Sequence, residues 1–160
     1  MWVNPKYEMP VKTLIDNSEL VAHYNPYAAV KCMKGMALEK YHALEHPYPS
    51  KVDVLAKYGY DPKQLHHIFR MKDFLNKYIA EESYADCLIP GNKEWLIEVK
   101  KGKYSLDHAR MLASEALKQI ETVADIYCAQ VPNEINPKAD VVLNNFTYDV
   151  MKIAMKEELL

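Results

Sequence analysis

Proline placement is the feature that most constrains this chain. Most of its nine prolines fall between stretches of helical apolar period rather than inside them, and only four glycines are present. Proline breaks a helix interior but is tolerated in the first turn. Asn25-Pro26 and Asp61-Pro62 therefore read as a capping side chain followed by proline at the first helical position. Pro47 and Pro49 stop the segment that precedes them. Helices joined by short loops satisfy this punctuation, whereas a turn-rich β-sandwich does not.

Between the breaks, the apolar residues recur with the period of a helix. Leu14, Ile15, Leu20 and Val21 predict a short amphipathic helix from Val11, interrupted or weakened near Asn17-Ser18. Tyr27 to His46 places Val30, Met33, Met36, Ala37, Tyr41 and Leu44 on one stripe. Ser50 is expected to cap a short helix that Gly59 ends. The helix opened by Asp61 carries Leu65, Ile68, Phe69, Phe74, Leu75 and Tyr78 to about Ala80. Ser105 caps a long helix through Tyr127, and a last one starts near Asp140. Met1 to Pro10 reads as an extended arm anchored by Trp2 and Tyr7. Tyr84 to Pro90 suggests extended chain, and Trp95 to Val99 fits either a short helix or a strand. The expectation is an all-α (mainly α) single domain over residues 1–160. It is a bundle of about five to six helices, with a short extended segment left open near 84–99.

Composition excludes several functions. Hydrophobic residues make up 49% and charged residues 26%, a balance that supports a packed core rather than disorder. The net charge of -2 gives no global attraction to nucleic acid, although a local basic patch remains open. Cys32, Cys87 and Cys128 form no CxxC pair, which argues against a disulfide framework and a zinc knuckle. No apolar run reaches the roughly 20 residues that span a bilayer, and no signal-peptide core opens the chain. A cytoplasmic protein with no membrane association and no cofactor is expected.

The densest chemistry lies between Tyr60 and Met71. On a helix, Lys63, His67 and Arg70 fall at i, i+4 and i+7 and share one face. Three nitrogen-bearing side chains with no carboxylate among them suit an anion such as a phosphate. The plainer alternative is a solvated basic face, or a His67 that satisfies a carbonyl. Lys31 and Lys34 are further candidates to help hold such a ligand.

The segment resembles the Lys-x-x-x-His-x-x-Arg signature in the C-terminal helical region of predicted nucleotidyltransferases of the DNA polymerase β superfamily, many of them phage-encoded. Ile97 to Gly102 is similar to that family's turn of a basic residue followed by glycine, and Ser105 to Ala129 resembles its next long helix. The resemblance implies a helical domain that contacts a nucleotide or RNA through Lys63, His67 and Arg70. The family's catalytic half needs a Gly-Ser turn and an Asp-x-Asp pair for two Mg²⁺ ions, and the chain contains neither. A non-catalytic binding domain is therefore expected, acting alone or beside a separate catalytic domain. The alternative is a phage-encoded interaction module that inhibits a host defence nuclease of CRISPR type.

A third expectation comes from His42-Ala-Leu-Glu45-His46, which fits the H-x-x-E-H string of zinc hydrolases. The string sits just before Pro47, where a helix frays, and surface histidines at a helix C-terminus are the favoured reading. Twelve tyrosines, among them Tyr24, Tyr27, Tyr41, Tyr58, Tyr60 and Tyr78, suggest a protein interface more than base stacking. A homo-oligomer is a further expectation, since self-association would cover an apolar patch left on a helical half-protein.

Overall fold

The computed structural model describes residues 3–158, and every regular element among them is a helix. The chain divides into two compact units, one from the two ends of the chain and one from its middle. Among the described residues, no helix is long and apolar enough to cross a membrane.

The first unit joins the N-terminal helices to the C-terminal one. Asn4 caps a 3-10 turn at Pro5–Tyr7, α1 follows over Glu8–Asp16 and α2 over Ser18–Ala22. Helix therefore occupies most of the stretch predicted as an extended arm. Proline at N1 pre-sets the helical backbone, so Pro5 starts a turn rather than preventing one. Trp2 lies outside the described residues. The predicted break at Asn17 is present between α1 and α2.

Helix α9 spans Pro137–Glu158 and packs on α1 and α2. It begins at Asn136-Pro137, where Asn136 Oδ1 accepts from the backbone N–H of Lys138 at 3.0 Å. Tyr24 ties the two ends together: its backbone oxygen accepts from Asn136 N at 2.7 Å, and its hydroxyl donates to Asp140 at 3.1 Å.

The second unit holds α3 (Pro26–His42), α4 (Val52–Tyr58), α5 (Pro62–Ile79), α6 (Tyr84–Leu88), α7 (Lys93–Lys100) and α8 (Leu106–Gln130). Helix α5 is its centre. Leu65, Ile68, Leu75 and Tyr78 form a buried stripe that lies against α8, whose buried face is Ala109, Ala113, Ala116, Leu117, Ile120 and Ala124. The alanines let the two backbones approach closely while keeping high helix propensity. Burying each large aliphatic side chain of α5 contributes roughly 1.5–3 kcal/mol relative to leaving it exposed. Val30 and Ala37 of α3, Leu44, Cys87 of α6 and Val99 of α7 complete this core.

The stretch left open near 84–99 holds two short helices joined by residues 89–92. Ser83 Oγ accepts from Asp86 N at 3.1 Å to start α6, and Asn92 Oδ1 accepts from Trp95 N at 3.1 Å to start α7. Both helices are too short for a 3.6-residue period to declare itself, so capping chemistry decides them. These short helices raise the number above the five or six expected. Helix α3 also stops at His42 rather than His46, and Ser50 sits inside a 3-10 turn, Pro49–Lys51, instead of capping α4. Gly59 ends α4 as expected, with φ +77° and its N–H bonded to Leu55 O.

Candidate cationic site on helix α5

Asp61 sets the start of α5. Its side chain, almost wholly buried, accepts from the backbone N–H of Lys63 at 2.9 Å and from Gln64 Nε2 at 3.3 Å. Lys51 completes the shell with Nζ at 2.9 Å. Burial pushes the Asp61 carboxyl up, but the bonds from Lys51, Lys63 and Gln64 outweigh it and hold the group below its ordinary value. Asp61 N also donates to Leu44 O at 2.8 Å, which fastens the loop after α3 to the first turn of α5.

With its start fixed, α5 places Lys63, His66, His67 and Arg70 at i, i+3, i+4 and i+7 along one face. The two imidazoles meet edge to face, with centroids 5.4 Å apart. Burial pushes His66 below its usual pKa, and His67, Lys100, Arg70 and Lys63 push it the same way. Burial also lowers His67, followed by Lys63, Lys40 and Lys100, while Asp61 pulls in the opposite direction. Four cationic side chains from three helices thus bear on a pair of half-buried neutral rings. The carboxylate felt by His67 is already held by Lys51.

Two polar atoms here are enclosed without a hydrogen-bond partner, His66 Nδ1 and Gln64 Oε1. Such atoms are costly to leave unsatisfied and mark a place where water or a ligand completes the shell. Lys63 is exposed, and Arg70 spends one N–H on Leu88 O at 3.1 Å, at the end of α6. The remaining donors of the guanidinium fork stay available for an anion.

The sequence-predicted trio Lys63, His67 and Arg70 therefore shares one face, as its spacing requires. Lys31 and Lys34 serve a different neighbourhood. Lys34 grips both carboxylate oxygens of Asp125 on α8 at 2.8 Å, and Lys31 lies over the Tyr27 ring at 5.9 Å, with both lysines acting on Cys128. The structure supplies His66, Lys40 and Lys100 instead. His66 was legible as the i+3 neighbour of Lys63, but nothing in the sequence brings Lys40 or Lys100 to this helix.

The H-x-x-E-H string does not form a helical pair, because α3 ends at its first histidine. Glu45 is taken by Arg110, which donates to its two oxygens at 2.8 and 2.6 Å, and these bonds lower the Glu45 pKa. His46 packs against Tyr48 with centroids 4.3 Å apart. Among the described residues, no three histidine, cysteine, aspartate or glutamate side chains are grouped to hold a metal ion. The tyrosines also divide. Tyr60 and Tyr78 are core residues rather than surface ones, the first donating to Tyr104 O at 3.1 Å, the second with its phenol pushed up to about 12 by burial.

No protein-family model, curated protein or solved structure gives a match to this chain, so a functional reading rests on the geometry around α5.

Proposed function

We propose that this chain is a non-catalytic binding domain that takes a phosphate-bearing ligand, a nucleotide or RNA, on the cationic face of α5. The observation that carries the reading is the face of α5 shared by Lys63, His66, His67 and Arg70, with the two imidazoles 5.4 Å apart and His66 Nδ1 enclosed without a partner; Lys40 and Lys100 add positive charge to it. Phosphate oxygens would take charge-assisted bonds from Lys63 and Arg70, and an imidazolium from either histidine would add a donor. The absence of Gly-Ser and Asp-x-Asp from the sequence supports binding without nucleotidyl transfer. The test is fluorescence anisotropy of a labelled ribo-oligonucleotide and of labelled ATP. Lys63→Glu, at an exposed position, and Arg70→Glu are each expected to weaken binding at least tenfold, since one charge-assisted contact contributes about 1.5–3 kcal/mol. Unchanged affinity in both variants, with the fold intact by circular dichroism, would reject the reading.

A second reading concerns α9. Val141, Tyr148, Met151 and Met155 are all more than half exposed, and their spacing of seven, three and four residues is that of a heptad seam. Self-association through this stripe is the corresponding proposal. Sedimentation velocity tests it: the parent should form dimers that Met151→Glu with Met155→Glu converts to monomers, and a monomeric parent at high micromolar concentration would reject it.

A further inference from the structure

Helices α5 and α7 run antiparallel in the second unit. His66 feels Lys100, Phe69 packs on Trp95, and Asp73 bonds Gly91, so each step up α5 is a step down the 91–100 segment. The cationic face lies at one end of this seam. At the other, Phe69, Lys72, Asp73, Asn76, Asn92 and Trp95 line a cavity of about 230 Å³. Arg70 and Asp73 are three residues apart on α5, a rise of about 4.5 Å at roughly 1.5 Å per residue.

The cavity walls are held in place. Phe69 and Trp95 meet edge to face with centroids 4.6 Å apart, and the indole Nε1 donates to the Tyr104 hydroxyl at 2.9 Å, which fixes the plane of the ring. Asp73 Oδ2 accepts from Gly91 N at 3.1 Å, leaving Oδ1 as an acceptor. Asn92 Oδ1 is committed to Trp95 N, leaving its amide N–H₂ as a donor. The cavity is smaller than the roughly 300–1,000 Å³ that engulf a drug-sized ligand, so it suits one flat ring system rather than a whole molecule. Aromatic walls favour a π-face, and an acceptor beside a donor matches an edge that carries an amine next to a ring nitrogen or carbonyl.

We infer that this cavity is the base subsite of a nucleotide whose phosphates lie on the α5 cationic face. The inference rests on the phosphate reading above. Its chemistry favours adenine or cytosine, whose amine meets Asp73 while the adjacent ring nitrogen meets Asn92, over uracil. Uracil can give its N3–H to Asp73 and one carbonyl to Asn92, but its second carbonyl then flanks the Asp73 carboxylate, which weakens the match.

Isothermal titration calorimetry with ATP, UTP, adenosine and inorganic triphosphate tests this, together with Trp95 emission in a Trp2→Phe background where Trp95 is the remaining indole. ATP is expected to bind at least tenfold tighter than inorganic triphosphate and at least threefold tighter than UTP, and to change Trp95 emission where inorganic triphosphate does not. Asp73→Asn, which keeps the side-chain volume, should erase the advantage of ATP over UTP and leave inorganic triphosphate binding unchanged. Equal affinity for ATP and inorganic triphosphate, with silent Trp95 emission, would overturn the base subsite and leave the phosphate reading standing. Binding of ATP and adenosine with equal affinity, with none of inorganic triphosphate, would support the cavity and overturn the phosphate reading. Binding of none of the four would overturn both.

Discussion

The Lys51 ammonium lies 2.9 Å from the Asp61 carboxylate, and Asp61 in turn caps the first turn of α5. One buried side chain thereby couples the 3-10 turn before α4 to the helix that carries the cationic face. Asp61→Ala removes the cap and leaves Lys51 unpaired. A lost cap costs about 0.5–2 kcal/mol, and breaking a buried pair adds to it. Asp61→Asn keeps a capping oxygen and should be the milder change. Urea denaturation of both variants checks this order, and an Asn variant as unstable as the Ala variant would contradict it.

Gly102 sits under the ring of Tyr58. A Cβ added there would run into Cε1 and Cδ1 of Tyr58, and the backbone φ of +81° already disfavours a side chain. Gly102→Ala should therefore destabilise the second unit by about 2 kcal/mol or more. Replacing Tyr58 with leucine in the Gly102→Ala background should recover part of that loss, which thermal melts of the single and double variants would show.

Glu81 carries φ +59°, just past the end of α5, where its N–H bonds Tyr78 O at 3.2 Å. Glycine adopts this left-handed conformation without the steric penalty paid by other residues. Glu81→Gly is expected to stabilise the protein by roughly 0.5–1 kcal/mol in chemical denaturation. A destabilisation of the same size would show that the Glu81 side chain contributes more than its backbone strain costs.

Stability should also depend on the paired histidines. Both have folded-state pKa values below the ordinary 6.5, so the unfolded chain binds protons more readily in that range. Stability is then flat above about pH 6.5 and falls as pH drops from there towards the folded-state values. His66→Gln with His67→Gln should flatten this part of the profile, read as the urea midpoint between pH 7.5 and 5. A slope unchanged by the double substitution would place its origin elsewhere.

The helices were legible where they are long and capped. Asp61-Pro62, Ser105 and Gly59 mark their positions by local chemistry that survives without knowledge of the tertiary fold. Helix α6 was not, and α7 stayed open between helix and strand, because five and eight residues are too few for a period and their caps, Ser83 and Asn92, look like ordinary loop residues. The candidate site was half legible for a similar reason. Lys63, His67 and Arg70 share a face through spacing on one helix, whereas Lys40 and Lys100 act on the histidines from α3 and α7, elements far away in sequence. Lys34 shows the converse: it stands on α3 like Lys40, but Asp125 of α8 claims its charge.

A phosphate site on α5 is open to a direct check by ¹H–¹⁵N NMR of the imidazoles of the six histidines during titration with inorganic triphosphate. An anion held on the α5 face stabilises the charged form of the rings beside it, so its binding must take up protons. The pKa values of His66 and His67 are expected to rise on saturation, while at fixed pH the imidazole resonances of the other four histidines do not move with added triphosphate. Saturating triphosphate that leaves His66 and His67 unmoved, or shifts all six histidines alike, would contradict a phosphate site on α5.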